Sequence, residues 1–162
     1  MNDIALSTES RFVTGVNHIG LTVTDLERSV AFYTEIFECE VVMRQEKQGG
    51  YLAAIVGYPD ADVKMAHLRL PGSQHRLELF EYRSPQSAPR DLEPRNVGNA
   101  HICFVAPDLD KLYVRLVERR VETFSPPVAI DTGANAGGMS LYLRDPDGIT
   151  LEVFQPPPGR VH

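Results

Sequence analysis

The stretch VNHIGLTVTDL, residues 16–26, returns later in the chain as NAHICFVAPDL, residues 99–109. In that alignment His18 falls on His101, Ile19 on Ile102, Asp25 on Asp108 and Leu26 on Leu109, and the register continues without a gap into a helical pattern in both copies. A second anchor agrees with the first. RLELFE, residues 76–81, matches TLEVFQ, residues 150–155, setting Glu78 on Glu152 and Phe80 on Phe154. Two separate anchors in one register mark a duplicated supersecondary unit.

Each copy reads as βαβββ. Residues 16–23 and 100–106 have strand character, and Asp25 and Asp108 follow as N-caps, since a short carboxylate accepts the free amide hydrogens of a first helical turn. Leu26, Val30, Tyr33 and Phe37 form one apolar stripe, and Leu109, Leu112 and Leu116 form its counterpart. Further strands are expected at 39–44, 63–70 and 76–82, then at 121–124, 140–144 and 150–154, the last two joined by the turn Asp145-Pro146-Asp147-Gly148. Residues 48–62, with two glycine-containing turns, read as a loop or short helical flap. The expected organisation is a first module at 14–82, a linker at 83–99 with three prolines, and a second module at 100–156.

Strand alternation then decides which side chains converge. Ile19, Leu21 and Val23 share the face that the first helix must cover, and His18 points the other way. Ile102 and Phe104 are covered, and His101 is opposite. Glu78 alternates with Leu77 and Leu79, and Glu152 with Leu151 and Val153. Polar residues on an uncovered face can simply meet water, but solvent does not require matching residue types at matching positions in both copies. Nor does it require Phe80 and Phe154 beside the two glutamates. His18, Glu78, His101 and Glu152 are therefore expected to hold one divalent metal ion. Two imidazoles and two carboxylates suit Zn, Ni, Co, Fe or Mn. Cys103 shares the parity of His101 and could approach the cleft. Arg76, His67 and Arg69 could hold a substrate carboxylate or phosphate, or serve as ordinary surface charge. The Gly-rich stretch at 131–138 could close over the cleft.

The bulk properties narrow the partners. A net charge of −6 and a pI near 5.3 disfavour nucleic acid and anionic membranes, while leaving room for a small anionic substrate. Only Cys39 and Cys103 are present, too few for a disulfide scaffold and consistent with a reducing compartment; both are expected as small buried side chains. Residues 1–11 are polar and acidic without a basic start and apolar run, so a cytoplasmic location is expected.

The segments NHIGLTVTDLERSVAFYTEIF (17–37), RLELFEY (76–82), NAHICFVAPDLD (99–110) and SLYLRDPDGITLEVFQ (140–155) resemble the vicinal oxygen chelate superfamily. That group includes glyoxalase I, methylmalonyl-CoA epimerase, extradiol dioxygenases and the fosfomycin and bleomycin resistance proteins. The resemblance implies an α+β fold of two tandem βαβββ modules, a strongly curved mixed sheet around a U-shaped metal cleft, commonly in a homodimer. It also implies that His18, Glu78, His101 and Glu152 match the four metal ligands of the glyoxalase I type, with Glu152 and Glu78 moving a proton beside a carbonyl through an enediolate. The implied substrate is a small molecule with vicinal oxygens, such as a thioester or thiohemiacetal. Glu46 lies near where epimerases of the group place a base, and Phe37-Glu38 stands where the group often has Leu-Gly. The alternatives are a non-haem iron ring-cleaving dioxygenase and a metal-free small-molecule-binding resistance protein.

Overall fold

A computed structural model describes residues 12–88 and 90–160; the polar stretch 1–11 lies outside the described residues. The first copy contains β1 (His18–Thr22), α1 (Leu26–Phe37), β2 (Glu40–Gln48), α2 (Gly50–Val56), β3 (Asp62–Arg69) and β4 (Arg76–Ser84). The second contains β5 (Ile102–Val105), α3 (Leu109–Glu118), β6 (Val128–Ala129), β7 (Met139–Arg144) and β8 (Thr150–Gln155). The strands form two four-stranded mixed sheets of identical order, β1-β4-β3-β2 and β5-β8-β7-β6. In each sheet the first strand runs parallel to the last and the other pairings are antiparallel.

The duplication extends to the helix starts. Asp25 accepts from the Arg28 amide at 3.0 Å and Asp108 from the Lys111 amide at 2.9 Å, each satisfying one free donor of a first turn. The next amides, of Leu26 and Leu109, donate to Glu81 at 2.9 Å and Gln155 at 2.6 Å, which are equivalent positions of the repeat. At the other end of α1, Glu38 sits at φ 56 and the amide of Cys39 after it donates to the Tyr33 carbonyl at 3.2 Å. That left-handed C-cap is the position glycine fills in most helices, so a glutamate there bears a backbone cost of about 1 kcal/mol.

Two expectations change. Residues 121–124 do not form a strand: among the described residues there is an isolated bridge, Thr123 to Leu143, and the paired strand comes later, as β6. Pro126 and Pro127, which have no N–H to donate, separate the two. Of the loop or short helical flap expected at 48–62, the helix is what forms: α2 lays Leu52 against Val63 and Met65 in a small second core that Phe80 and Tyr82 border. Cys39 is buried but Cys103 is exposed. Among the described residues, no helix is long and apolar enough to cross a membrane.

Both sheets turn their apolar faces to one common core. Leu68, Leu77 and Leu79 from the first sheet and Leu141, Leu143, Leu151 and Val153 from the second join Leu26, Val30, Tyr33 and Phe37 of α1 and Leu109 and Leu116 of α3. The modules are locked there by Phe37 stacked on Phe104, with ring centroids 4.0 Å apart. The Arg28–Asp147 ion pair at 2.7 Å ties α1 to the β7–β8 turn. Tyr33 donates to buried Asp145 at 3.0 Å. Burial raises the Asp145 carboxyl above the ordinary carboxylate range, against the opposing pull of donors from the Ile149 and Asp147 amides and the Tyr33 hydroxyl. An acid whose pKa is raised by folding stabilises the fold below its unfolded value and loses that contribution as pH rises through the folded value. The melting temperature of wild type relative to Asp145→Asn should therefore fall as pH rises from the ordinary carboxylate range upward. Parallel melting curves across that range would show that Asp145 carries no such linkage.

Candidate metal and substrate site

Alternation along β1 and β4 places His18 and Glu78 on the face of the first sheet that turns away from the core. Ile19 and Leu21 pack toward the core on the opposite face, and Leu77 and Leu79 are fully buried within it. The parallel register sets Gly20 beside Glu78, and His18 Nε2 reaches Glu78 Oε2 at 3.1 Å. The second sheet repeats this. Cys103 lies beside Glu152 in the β5–β8 register, and His101, two residues earlier, brings its Nε2 to Glu152 Oε2, also at 3.1 Å.

The structure thus brings His18 to Glu78 and His101 to Glu152, but does not bring all four together within one chain. Among the described residues no three of His, Cys, Asp or Glu form a metal-holding cluster. The physical reason lies in the common core. When two sheets turn their apolar faces toward the same helices, their reverse faces both look away from that core. Each outward face therefore carries half of the expected ligand set.

The surroundings suit binding better than open solvent. In the first half Glu78 is 8% exposed, with Phe80 and the α2-covered core beside it. His67, opposite Glu78 in the β3–β4 register, brings Nε2 to 2.7 Å from Glu78 Oε1. The pair lacks hydrogen-bond alignment, so both buried ring nitrogens of His67 are left without a hydrogen-bond partner. Such a group costs about 1–3 kcal/mol unless something satisfies it. Sequence parity put His67 on this face, but its burial against Glu78 depends on the β3–β4 register, which the sequence does not state.

In the second half Ser140 donates to Glu152 Oε1 at 2.7 Å, and the Tyr142 hydroxyl lies 3.4 Å from His101 Nε2. A cavity of about 390 Å³ opens here, lined by Phe124, Ser125, Ser140, Leu141, Tyr142 and Glu152. Desolvation first, and then the charge of Glu152, push the Cys103 thiol up to about 12 and the Tyr142 phenol above its ordinary value. Both stay protonated at neutral pH, which leaves them as hydrogen-bond donors facing the carboxylate.

Other candidates lie aside. Arg69 pairs with Glu40 at 2.7 Å, and Glu46 with Arg83 at 2.7 Å, both near the surface. Arg76 is exposed.

Comparison with known proteins agrees with this architecture. Residues 15–153 match the model of the Glyoxalase/Bleomycin resistance protein/Dioxygenase superfamily. The chain is 32% identical over 151 residues to a 2-epi-5-epi-valiolone epimerase from Actinomyces sp, covering 89% of this chain and 80% of that protein. It is 28% identical over 159 residues to a lactoylglutathione lyase from Pseudomonas putida, covering 88% of this chain and 85% of that protein. A glyoxalase family protein from Bacillus cereus superposes with a TM-score of 0.81 at 18% identity, covering 93% of this chain and 99% of its own.

Proposed function

The chain belongs to the Glyoxalase/Bleomycin resistance protein/Dioxygenase superfamily, and from that membership we propose that it is a divalent-metal-dependent isomerase or lyase acting by proton transfer beside a carbonyl. The repeated imidazole–carboxylate pairing, His18 with Glu78 and His101 with Glu152, each at 3.1 Å, supports this activity above all else. Donor atoms bound at about 2.0–2.2 Å to one ion stand about 3 Å apart, so both pairs have the spacing of ligands. The orphaned nitrogens of His67 beside Glu78 fit the same picture, since a buried polar group without a partner marks a place where something binds.

The site holds its ion between two copies of the chain. The first outward face of one protomer, carrying His18 and Glu78, meets the second outward face of its partner, carrying the equivalents of His101 and Glu152. Exposed apolar side chains support such a homodimer: Met43, Tyr51 and Ile55 in the first module, and Val105, Phe124 and Val128 in the second.

A bound divalent ion would withdraw charge from two neighbouring substrate oxygens and so acidify the carbon beside the carbonyl. The chain's own residues then move the proton. Glu152 lines the 390 Å³ cavity, with Ser140 donating to its Oε1 and His101 beside its Oε2, and its carboxylate takes up the proton. Glu78 sits in the equivalent place of the other half and can return a proton from the opposite side. Tyr142, protonated and within the same cavity, can donate to a substrate oxygen. The likeness to proteins named as an epimerase and a lyase supports this chemistry, and the likeness to proteins named as dioxygenases makes oxidative ring cleavage the alternative that the test must separate.

The test is metal analysis of purified protein, followed by incubation in D₂O with 2-oxoaldehyde–thiol adducts and branched acyl-CoA thioesters. The expected result is one divalent ion per chain and deuterium at the carbon beside the carbonyl, without oxygen uptake. Stoichiometric oxygen consumption would replace proton transfer with dioxygenation.

A further inference from the structure

Glu78 and Glu152 are held in matching ways by unlike partners. Each carboxylate directs Oε2 to the histidine of its own half, with both contacts at 3.1 Å. The other oxygen, Oε1, faces the neighbouring antiparallel strand. In the second half β7 supplies Ser140, whose hydroxyl donates to Glu152 Oε1 at 2.7 Å. In the first half β3 supplies His67, whose Nε2 lies 2.7 Å from Glu78 Oε1. His67 is 9% exposed, and neither of its ring nitrogens has a hydrogen-bond partner. A hydroxyl rotates freely and finds its acceptor, whereas an imidazole must turn as a whole ring to align its N–H.

We propose that His67 is a positioning residue for Glu78: a turn of the ring that aligns Nε2–H across the 2.7 Å gap holds Oε1, so that the carboxylate presents Oε2 alone to an ion shared with His18. The inference rests on the metal-binding function proposed above. Partners that orient a ligating carboxylate set how well the site is preformed, and their removal typically weakens metal binding by about 10–100-fold. His67 accordingly acts on metal affinity rather than on the core.

The experiment measures Co²⁺ binding to the intact dimeric protein by its visible absorption, alongside thermal melting without metal. His67→Leu removes the donor and keeps an apolar-compatible shape; His67→Gln keeps one N–H. The expected result is Co²⁺ affinity about 10–100-fold weaker in His67→Leu, with an altered Co²⁺ spectrum and a metal-free melting temperature no lower than wild type. His67→Gln should recover most of the affinity. Affinity within twofold of wild type in His67→Leu overturns the proposal, as does failure of His67→Gln to recover any. A metal-free His67→Leu that melts well below wild type, with affinity unchanged once folded, assigns His67 to the core instead. Wild-type protein that binds no Co²⁺ contradicts the metal-binding function itself and carries this proposal down with it. Wild-type binding with an unaffected His67→Leu contradicts this proposal alone.

Discussion

Glu152→Gln is expected to lower turnover by about 10²–10⁴-fold while the protein stays folded and keeps most of its metal. The amide has the shape of the carboxylate and still offers one oxygen to an ion. Its NH₂ can face Ser140, which turns from donor to acceptor. Basicity is the property removed. Glu152→Gln should therefore abolish deuterium incorporation in D₂O, whereas a residue that only ligates would lose metal in proportion to activity. Glu78→Gln is the companion measurement, and a smaller loss there would give the two carboxylates unequal shares of the proton transfer. Normal turnover of Glu152→Gln at full metal occupancy would remove Glu152 from the role of base.

The second large effect is on binding. His18→Ala and His101→Ala should each abolish tight metal retention through dialysis, because each removes one of four donors and leaves its carboxylate partner alone. Stability should change little. The His18 and His101 side chains are 42% and 41% exposed on outward faces and contribute little to the common core. Stoichiometric metal in either purified variant would show that the histidine is not a ligand.

The duplication was legible because it needs only residue identity and spacing, and alternation then placed each histidine on the face of its glutamate. The pairing of His18 with Glu78 and of His101 with Glu152 follows from those two facts and the parallel β1–β4 and β5–β8 registers. How the modules pack was not legible. Alternation says which face of a strand a side chain occupies, but Phe37 on Phe104 and Tyr33 on Asp145 are long-range contacts with no local signature. They set the His18–Glu78 face and the His101–Glu152 face away from the common core. His67 was visible only as a residue of the right parity. Its place against Glu78 depends on the turn at 70–75, which sets the β3–β4 register. Residues 121–124 have the β-branched character of a strand and bridge to β7 at Thr123, yet the prolines that follow interrupt the pairing before it resumes as β6.

A site shared between two chains makes a prediction that a site within one chain cannot. Co-express His18→Ala and His101→Ala under different affinity tags, isolate the mixed dimer, and measure its metal content and turnover beside the two parent variants. One of its two sites carries both substitutions and the other carries neither. The mixed dimer should therefore hold one ion per dimer and recover about half of the wild-type turnover, while both parents remain empty and inactive. A mixed dimer as empty as its parents, or a protein that is monomeric in solution with full metal, would contradict the shared His18–Glu78 and His101–Glu152 site.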